Sequence, residues 1–361
     1  MKALPLLLAL TSLLPAEPSY QIFIPIKKGL LTFEAQTGTQ PTLTQTAHHQ
    51  TNHLGAAITL SADQSRLYMN VRRDQKPPSY VLATHHLSPA GTVTHSEELD
   101  VSMNGGELVL SPKATTLMAS NYGSGRVAAY AVNKEGKVLA ETTYRDNERR
   151  FAHDIVFHPH QPFVYVPFVK EFNEIYQFRL DEQESTLTPL DPLMVGTPSP
   201  SGPRHGEAHP SGQAVYFSNE QELGLSAYRV SNGGTLSLIE VEPSQVPTQQ
   251  PEGYSASFLE ISPNAPFLFL GIRDKTESNL DRLVTYRIHD DYSVSQVAFK
   301  PFPAKIPWGA RVTPDGEYLI VTSVHSSSLH LYRINPDGTL SERATAPLGH
   351  KVMNFAVRTS P

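Results

Sequence analysis

Residues 313–338 read TPDGEYLIVTSVHSSSLHLYRINPDG, and this stretch contains the unit from which most of the chain is built. It opens on a Thr-Pro step and a turn, and the apolar run 318–321 follows. A second run, 329–334, alternates apolar and polar residues and leads into the turn 335–338. A period of two with β-branched and aromatic residues predicts strands, while Asn, Asp and Gly predict tight turns between them.

The same unit recurs six times between residues 54 and 348. The residues at the step are Ser61, Ser111, His158, His209, Ser262 and Thr313. Their spacings are 50, 47, 51, 53 and 51 residues. Four antiparallel strands in about 50 residues make a propeller blade, which must stack on its neighbours to bury both faces. A β-solenoid or tandem sandwiches are the alternatives, but β-helix repeats are much shorter and sandwich turns do not recur in phase.

Two strand-like fragments remain at the ends of the chain, residues 20–26 with a partner at 30–35, and residues 351–357. Together they predict a seventh blade, and closing the ring in this way removes exposed sheet edges. The predicted fold is therefore all-β, a seven-bladed β-propeller of four-stranded antiparallel blades with one blade closed by strands from both termini. No linker or break in composition divides residues 20–361, which are predicted to form one domain.

The first 19 residues are predicted to be a leader. Met1 and Lys2 precede the apolar run 3–14, as in a secretory signal, and this run is too short to span a bilayer. Cleavage after Ala16 is the expected processing step, and an extra strand or an irregular tail is the alternative. The protein is accordingly predicted to be periplasmic or secreted, without an integral membrane segment after leader removal. It is expected in the cytoplasm if this segment is not a functional signal.

Charge and cysteine content exclude several classes of function. The net charge of −6 and the absence of basic clusters argue against a nucleic-acid partner. The chain has no cysteine, which excludes disulfides, thiolate zinc sites and cysteine nucleophiles. No Gly-x-Ser-x-Gly elbow is present, which argues against a serine hydrolase triad. Oligomeric state is not indicated by the sequence.

Residues at equal distances from the step should occupy equivalent places around the central channel, because the blades superpose. Five residues before the step, the units present Ala56, Gly106, His153, Arg204, Ser257 and Trp308. Eleven residues after it, they present Arg72, Tyr122, Val169, Glu220, Arg273 and Val324. Polar and charged side chains are thus predicted to gather at two levels of the ring in the middle blades.

Buried strands rarely carry unpaired Arg or Glu, because desolvating a lone ion costs several kcal/mol. His153, Arg204, Glu220 and Arg273 are therefore predicted to converge at one mouth of the channel. They would form a general acid/base pair flanked by two guanidinium groups. Ion pairs that tie adjacent blades together are the structural alternative, and the pattern alone favours neither.

Several short motifs fall in order along the chain: NYG (121–123), AHD (152–154), GPRH (202–205), HP (209–210), SNE (218–220) and TPDG (313–316). Together with arginines at the ends of two strands, this set resembles the seven-bladed lactonase family that includes bacterial 6-phosphogluconolactonase and fungal carboxymuconate lactonizing enzyme. The catalytic set of that family falls on His153, Arg204, Glu220 and Arg273. The chain departs from the family where Phe258 replaces an acidic residue, with Glu260 two places on, and where Trp308 replaces an arginine found in some members.

The resemblance implies that water opens a lactone. Glu220 or His153 would take the proton of the water and the other would protonate the departing alkoxide, while Arg204 and Arg273 face the oxyanion. The remaining substrate-binding candidates are Arg72, Tyr122, His205 and Trp308. The implied partner is a small anionic or sugar lactone, and no cofactor or metal is required.

Two other functions stay open at this point. A carboxymuconate-type cycloisomerase would use the same residues, and a non-catalytic propeller would bind a ligand or protein on its face. The leader favours an unphosphorylated sugar lactone, because phosphorylated gluconolactone is made and used inside cells.

The chain also contains a group of histidines that suggests a metal site: His48, His49, His53, His85 and His86. The first three are expected in a polar loop and the last two in a strand, without a carboxylate at ligand spacing. No metal site is predicted there.

Overall fold

The computed structural model describes residues 18–144, 150–170, 172–198, 201–245, 253–276 and 281–361. Most of the predicted leader, residues 1–17, lies outside the described residues. Over these ranges the regular structure consists of 28 strands in seven four-stranded antiparallel sheets. The predicted all-β, seven-bladed propeller is confirmed.

Blade 1 combines the first three strands of the chain with the last one, and every other blade takes four consecutive strands. The strands of blade 1 are β1 (Ser19–Ile26), β2 (Gly29–Gln36), β3 (Thr42–Gln50) and β28 (Ala356–Thr359). Blade 2 contains β4 (His53–Leu60), β5 (Arg66–Arg73), β6 (Tyr80–Leu87) and β7 (Val93–Val101). Blade 3 contains β8 (Glu107–Leu110), β9 (Thr116–Ser120), β10 (Val127–Val132) and β11 (Val138–Tyr144).

The remaining blades follow in chain order. Blade 4 contains β12 (Val156–Phe157), β13 (Phe163–Phe168), β14 (Glu174–Asp181) and β15 (Thr186–Gly196). Blade 5 contains β16 (Pro203–Ala208), β17 (Ala214–Asn219), β18 (Gly224–Val230) and β19 (Leu236–Pro243). Blade 6 contains β20 (Tyr254–Ile261), β21 (Phe267–Asp274), β22 (Arg282–Ile288) and β23 (Val294–Pro301). Blade 7 contains β24 (Pro307–Val312), β25 (Tyr318–Ser323), β26 (Ser328–Ile334) and β27 (Leu340–Pro347).

The step residue of each unit closes the turn between the first and second strands of its blade. In five of the six units its side chain accepts a hydrogen bond from a backbone N–H across that turn, whereas Ser262 Oγ is buried without a partner among the described residues. Ser61 Oγ accepts from Arg66 at 3.0 Å, and Thr313 Oγ1 accepts from Tyr318 at 3.0 Å. In blade 4 the His158 Nδ1 atom takes the same role. Ser, Thr and His therefore interchange at this position because each offers a side-chain acceptor.

Blade 1 closes the ring through antiparallel pairing of β28 with β1, in which Ile22 lies opposite Val357. The strand predicted over residues 351–357 is wrong in its bounds, since β28 is Ala356–Thr359. The apolar residues before β28 lie in the connection from blade 7 to blade 1. Val352 and Phe355 are buried in the cluster between these two blades. Their apolar character reflects this packing and not a strand.

An apolar cluster fills each interface between neighbouring blades. Leu331 of blade 7 packs in the same cluster as Ile22 of blade 1, and Phe258 of blade 6 packs with Leu319 of blade 7. The departure at Phe258 therefore has a core role, because its side chain is buried in this interface. Stacked in this way, each blade buries both faces and holds the first strands around the channel. Among the described residues, no helix has the length and apolar character to cross a membrane.

Candidate active site

The mouth of the channel is shaped by irregular strand pairing in the innermost strands. The register with the second strand shifts between Leu54 and Ala57 in blade 2, and at the equivalent place in blades 5, 6 and 7. The shifted segments contain Arg204, Ser257 and Trp308. A bulge bends the strand and re-aims its side chains, which is why bulges recur beside active sites. In these four blades the predicted level five residues before the step therefore coincides with a bulge.

Arg204 and Arg273 meet at the carboxylate of Glu220. Arg273 Nη2 donates to Glu220 Oε1 at 2.7 Å, and Arg204 Nε lies 3.7 Å from the same oxygen. Each arginine is also held by a main-chain carbonyl, Arg204 by Ser257 at 2.7 Å and Arg273 by Ala256 at 2.9 Å. Both arginines are only 2% exposed, so two buried cations share one carboxylate.

Several N–H donors of the two guanidinium groups make no hydrogen bond to described residues. Within the described residues, Nη2 of Arg204 and Nη1 of Arg273 have no hydrogen-bond partner, and both Nε atoms are buried without one. Burial, followed by the charge of Arg273, lowers the pKa of Arg204 to about 9. Burial also lowers the pKa of Arg273, against the opposing effect of Glu220. The mouth therefore carries a surplus of positive charge and unused N–H groups.

Trp308 faces both guanidinium groups. Its ring lies 4.5 Å from the Arg273 carbon and 5.3 Å from that of Arg204. Cation–π contacts of this kind stabilise desolvated guanidinium groups by about 0.5–2 kcal/mol. Trp308, predicted to bind substrate, is thus placed to orient both arginines.

Two histidines from neighbouring blades stand edge to face at the mouth. The ring centroids of His153 and His205 are 4.7 Å apart, and Nδ1 of His205 lies 3.3 Å from Asp154 Oδ2. Burial and then the charge of Arg204 lower the pKa of both imidazoles well below the ordinary value of 6.5. Both rings are therefore neutral at pH 7 and able to accept a proton.

Aromatic side chains extend this wall toward blade 3. The Tyr122 ring lies 5.8 Å from that of His153 and 4.9 Å from that of Phe151, with the Lys170 ammonium 5.3 Å above it. Arg72 is different, because it is exposed at the end of β5. Nothing among the described residues brings Arg72 into contact with the other predicted site residues.

The channel contains further ionisable residues that were not predicted to belong to the site. A cavity of about 650 Å³ is lined by residues of the innermost strands, including Glu107, Asp154, Glu207, Glu260 and Arg311. Arg311 Nη1 donates to Glu260 Oε1 at 2.8 Å. Burial raises the pKa of Asp154 to about 6 and, together with Asp154, that of Glu107 to about 8. Burial also raises the pKa of Glu207 and Glu260.

The repeat contained the signal for this layer. Four residues before the step lie Glu107, Asp154 and His205, and two residues before it lie Glu207, Glu260 and Arg311. Ionisable residues that recur at these two offsets are therefore the sequence signal for the charged lining of the channel.

A second cavity, of about 340 Å³, adjoins Arg273 and Trp308. Lys275, Lys305 and His325 contribute to its lining. Burial, reinforced by Arg273, lowers the pKa of Lys275, as expected where cations crowd together. Asp274 also lines this cavity, but the cations outnumber it and extend the positive character of the mouth between blades 6 and 7.

The predicted surroundings of the first histidine group need correction. His48 and His49 lie in β3, and His53 begins β4, so none of them lies in a loop. A carboxylate is also present, since His53 Nε2 lies 2.7 Å from Glu98 Oε1. In the ranges that the structure describes, no group of three or more His, Cys, Asp or Glu residues has the arrangement to hold a metal ion.

Comparison with known proteins supports the resemblance seen in the motifs. A 6-phosphogluconolactonase of Yersinia pestis (strain Pestoides F) is 24% identical over 302 residues, which cover 83% of this chain and 86% of that protein. A 6-phosphogluconolactonase of Yersinia enterocolitica is 24% identical over 293 residues, covering 81% and 84%. The solved structure of the Pseudomonas aeruginosa periplasmic gluconolactonase has a TM-score of 0.79 at 17% identity, covering 95% of this chain and 100% of that chain, and shares the fold.

The family model described as "Lactonase, 7-bladed beta-propeller" matches residues 25–355, which is nearly the whole chain. The match includes blades 2 to 7, most of blade 1 and each residue of the candidate site. The protein therefore belongs to the seven-bladed β-propeller lactonase family.

Proposed function

We propose that this protein hydrolyses a sugar lactone, with Arg204 and Arg273 stabilising the oxyanion. The observation that carries the proposal is the pair of buried guanidinium groups that share the single carboxylate of Glu220. An ion pair that only tied blades together would balance its charges, because an uncompensated buried charge is costly. The surplus cation supports binding of an anion that forms or arrives at this place.

Lactone opening develops such an anion. The water oxygen attacks the carbonyl carbon, and the carbonyl oxygen becomes a tetrahedral oxyanion beside the arginines. The bond from that carbon to the ring oxygen then breaks, and the ring oxygen leaves as a hydroxyl group after taking a proton. Preorganised donors in a dehydrated site stabilise such an oxyanion far more than water does. Glu220 holds both arginines through one carboxylate, and a neighbouring base must take the proton of the water and return it to the ring oxygen.

The substrate assigned is an unphosphorylated gluconolactone met outside the cytoplasmic membrane. Support comes from the leader-like residues 1–16 and from the periplasmic gluconolactonase with the same fold. The relatives named 6-phosphogluconolactonase and the cationic cavity beside Arg273 make the 6-phosphate the substrate to compare.

The test is a panel of lactones at a pH where spontaneous hydrolysis is slow. We expect the rate on gluconolactone to rise in proportion to protein concentration, and kcat/KM to be no lower than on its 6-phosphate. Absence of hydrolysis above the spontaneous rate for every lactone would contradict the proposed activity. A preference for the 6-phosphate would overturn the substrate assignment alone, and would assign the phosphate to Lys275 and Lys305.

A further inference from the structure

A carboxylate stands directly behind His205. Asp154 Oδ2 is 3.3 Å from Nδ1 of His205 and accepts a hydrogen bond from the Gly206 N–H at 2.9 Å. Its other oxygen accepts from the N–H of Ile155 at 2.7 Å. Two main-chain donors thus hold the carboxylate of blade 4 against the imidazole of blade 5.

This contact fixes the proton of the neutral imidazole. Asp154 accepts a hydrogen bond, so Nδ1 of His205 carries the hydrogen and Nε2 carries the lone pair. The His205 ring lines the cavity of about 650 Å³, and Nε2 has no hydrogen-bond partner among the described residues. His205 therefore lines a space large enough for water and keeps a nitrogen lone pair that no described residue occupies.

The other candidate bases are placed less favourably. Glu220 Oε1 is already approached by the guanidinium groups of Arg273 and Arg204. His153 has no carboxylate behind it in the described residues, and its Nδ1 is buried without a partner. A base needs access to the water and a group that fixes its tautomer. His205 meets both requirements.

On the basis of the proposed lactone hydrolysis, we propose that His205 is the general base and that Asp154 is its positioning residue. Nε2 of His205 takes one proton from the water as the water oxygen bonds to the carbonyl carbon. The same proton passes from Nε2 to the ring oxygen as the carbon–oxygen bond breaks. Protons balance within the step, and no further reactant is needed.

The charged and titratable groups around His205 decide its pH behaviour. Asp154 and His153 face it from blade 4, Arg204 and Arg273 from blades 5 and 6, and Arg311 from blade 7. Burial and the three guanidinium groups lower the pKa of His205, so the base is present at pH 7 and is lost only below the ordinary value of 6.5. Because burial raises the pKa of Asp154 to about 6, its carboxylate is protonated over the same range, and the acid limb belongs to the Asp154–His205 pair. Removing the negative charge of Asp154 should lower the pKa of His205 further.

The kinetic test compares His205→Gln, Asp154→Asn and His153→Gln on gluconolactone, with the exposed His350→Gln as the matched control. We expect kcat to fall by about 10²-fold or more for His205→Gln and Asp154→Asn, and the control to match the wild type. The acid limb of the kcat profile should move to lower pH in Asp154→Asn, a shift that a merely structural role would not produce. A loss confined to His153→Gln, or an unmoved limb, would overturn the assignment.

A readout independent of activity separates this inference from the proposed function. Nitrogen-15 NMR of histidine-labelled full-length protein, assigned with His205→Gln, should show the neutral Nδ1–H tautomer at pH 7. In Asp154→Asn, the hydrogen of the neutral His205 ring should be shared between Nδ1 and Nε2. An Nε2–H tautomer or an imidazolium in the wild type would overturn the role of His205 even if lactones are hydrolysed. The expected tautomer in a protein that opens no lactone would support the positioning contact and contradict only the proposed function.

Discussion

Replacing Arg204 by alanine should lower kcat/KM for lactone hydrolysis by about 10²–10³-fold, the usual cost of losing one oxyanion-stabilising donor. The guanidinium is 2% exposed, is held by Ser257 and Trp308, and keeps Nη2 unpaired among the described residues. Its positive charge therefore lies in a site with little water, where its interaction with an oxyanion is stronger than in solvent. Steady-state kinetics with the lactone of highest rate measures the effect, which we expect mainly in kcat.

The matched controls are Arg343→Ala, on the exposed face of β27, and Arg204→Lys at the site itself. Arg343→Ala should behave as the wild type. Arg204→Lys should recover only part of the activity, because a point charge cannot reproduce the planar set of donors. Equal kcat/KM for Arg204→Ala and wild type would remove Arg204 from the active site and favour an ion pair that only ties blades together.

The fold was predictable because its repeat is long-range and regular. Step residues such as Ser61 and Thr313 accept a backbone hydrogen bond within the turn. The need for a side-chain acceptor at this position makes the turns recognisable in the sequence. The bounds of β28 were not predictable, because Val352 and Phe355 are apolar for packing between blades and imitate a strand. Periodicity cannot separate these two causes over so few residues.

The candidate site was predictable where charged residues recur at equal offsets from the step residues. The pairing of Arg273 with Glu220 joins neighbouring blades and follows from equal offsets. The contact between Asp154 and His205 was missed, because both residues lie four positions before the step residue of their blade, one position away from the offset that was considered. Asp154 also precedes β12 and so lies outside the strands of its blade. Arg72 lies at the same offset from its step residue as Glu220 and Arg273, but its side chain is exposed. An equal offset predicts the position of a residue along its blade and does not predict the direction of its side chain.

Glu220→Gln should lower the free energy of unfolding by about 3 kcal/mol, because removing one partner leaves buried charge uncompensated. Both guanidinium groups lose their shared carboxylate, while the glutamine has nearly the same volume. We place the effect at the lower end of the range for buried pairs, since the Glu220 side chain keeps 16% exposure. Urea denaturation of the full chain measures it, and the same variant should bind inorganic phosphate with a larger gain in stability than the wild type.

Glu317→Gln is the matched control, because Glu317 pairs with Arg333 on the surface and both side chains are more than 40% exposed. An exposed pair contributes about 0–1 kcal/mol, so this variant should unfold nearly as the wild type does. If Glu220→Gln is as stable as this control, the arginines do not depend on the carboxylate, and the surplus positive charge at the mouth is already relieved by solvent. If Glu220→Gln has a lower free energy of unfolding and phosphate restores it, the positive charge of Arg204 and Arg273 causes the loss of stability. The same positive charge would then stabilise a developing oxyanion.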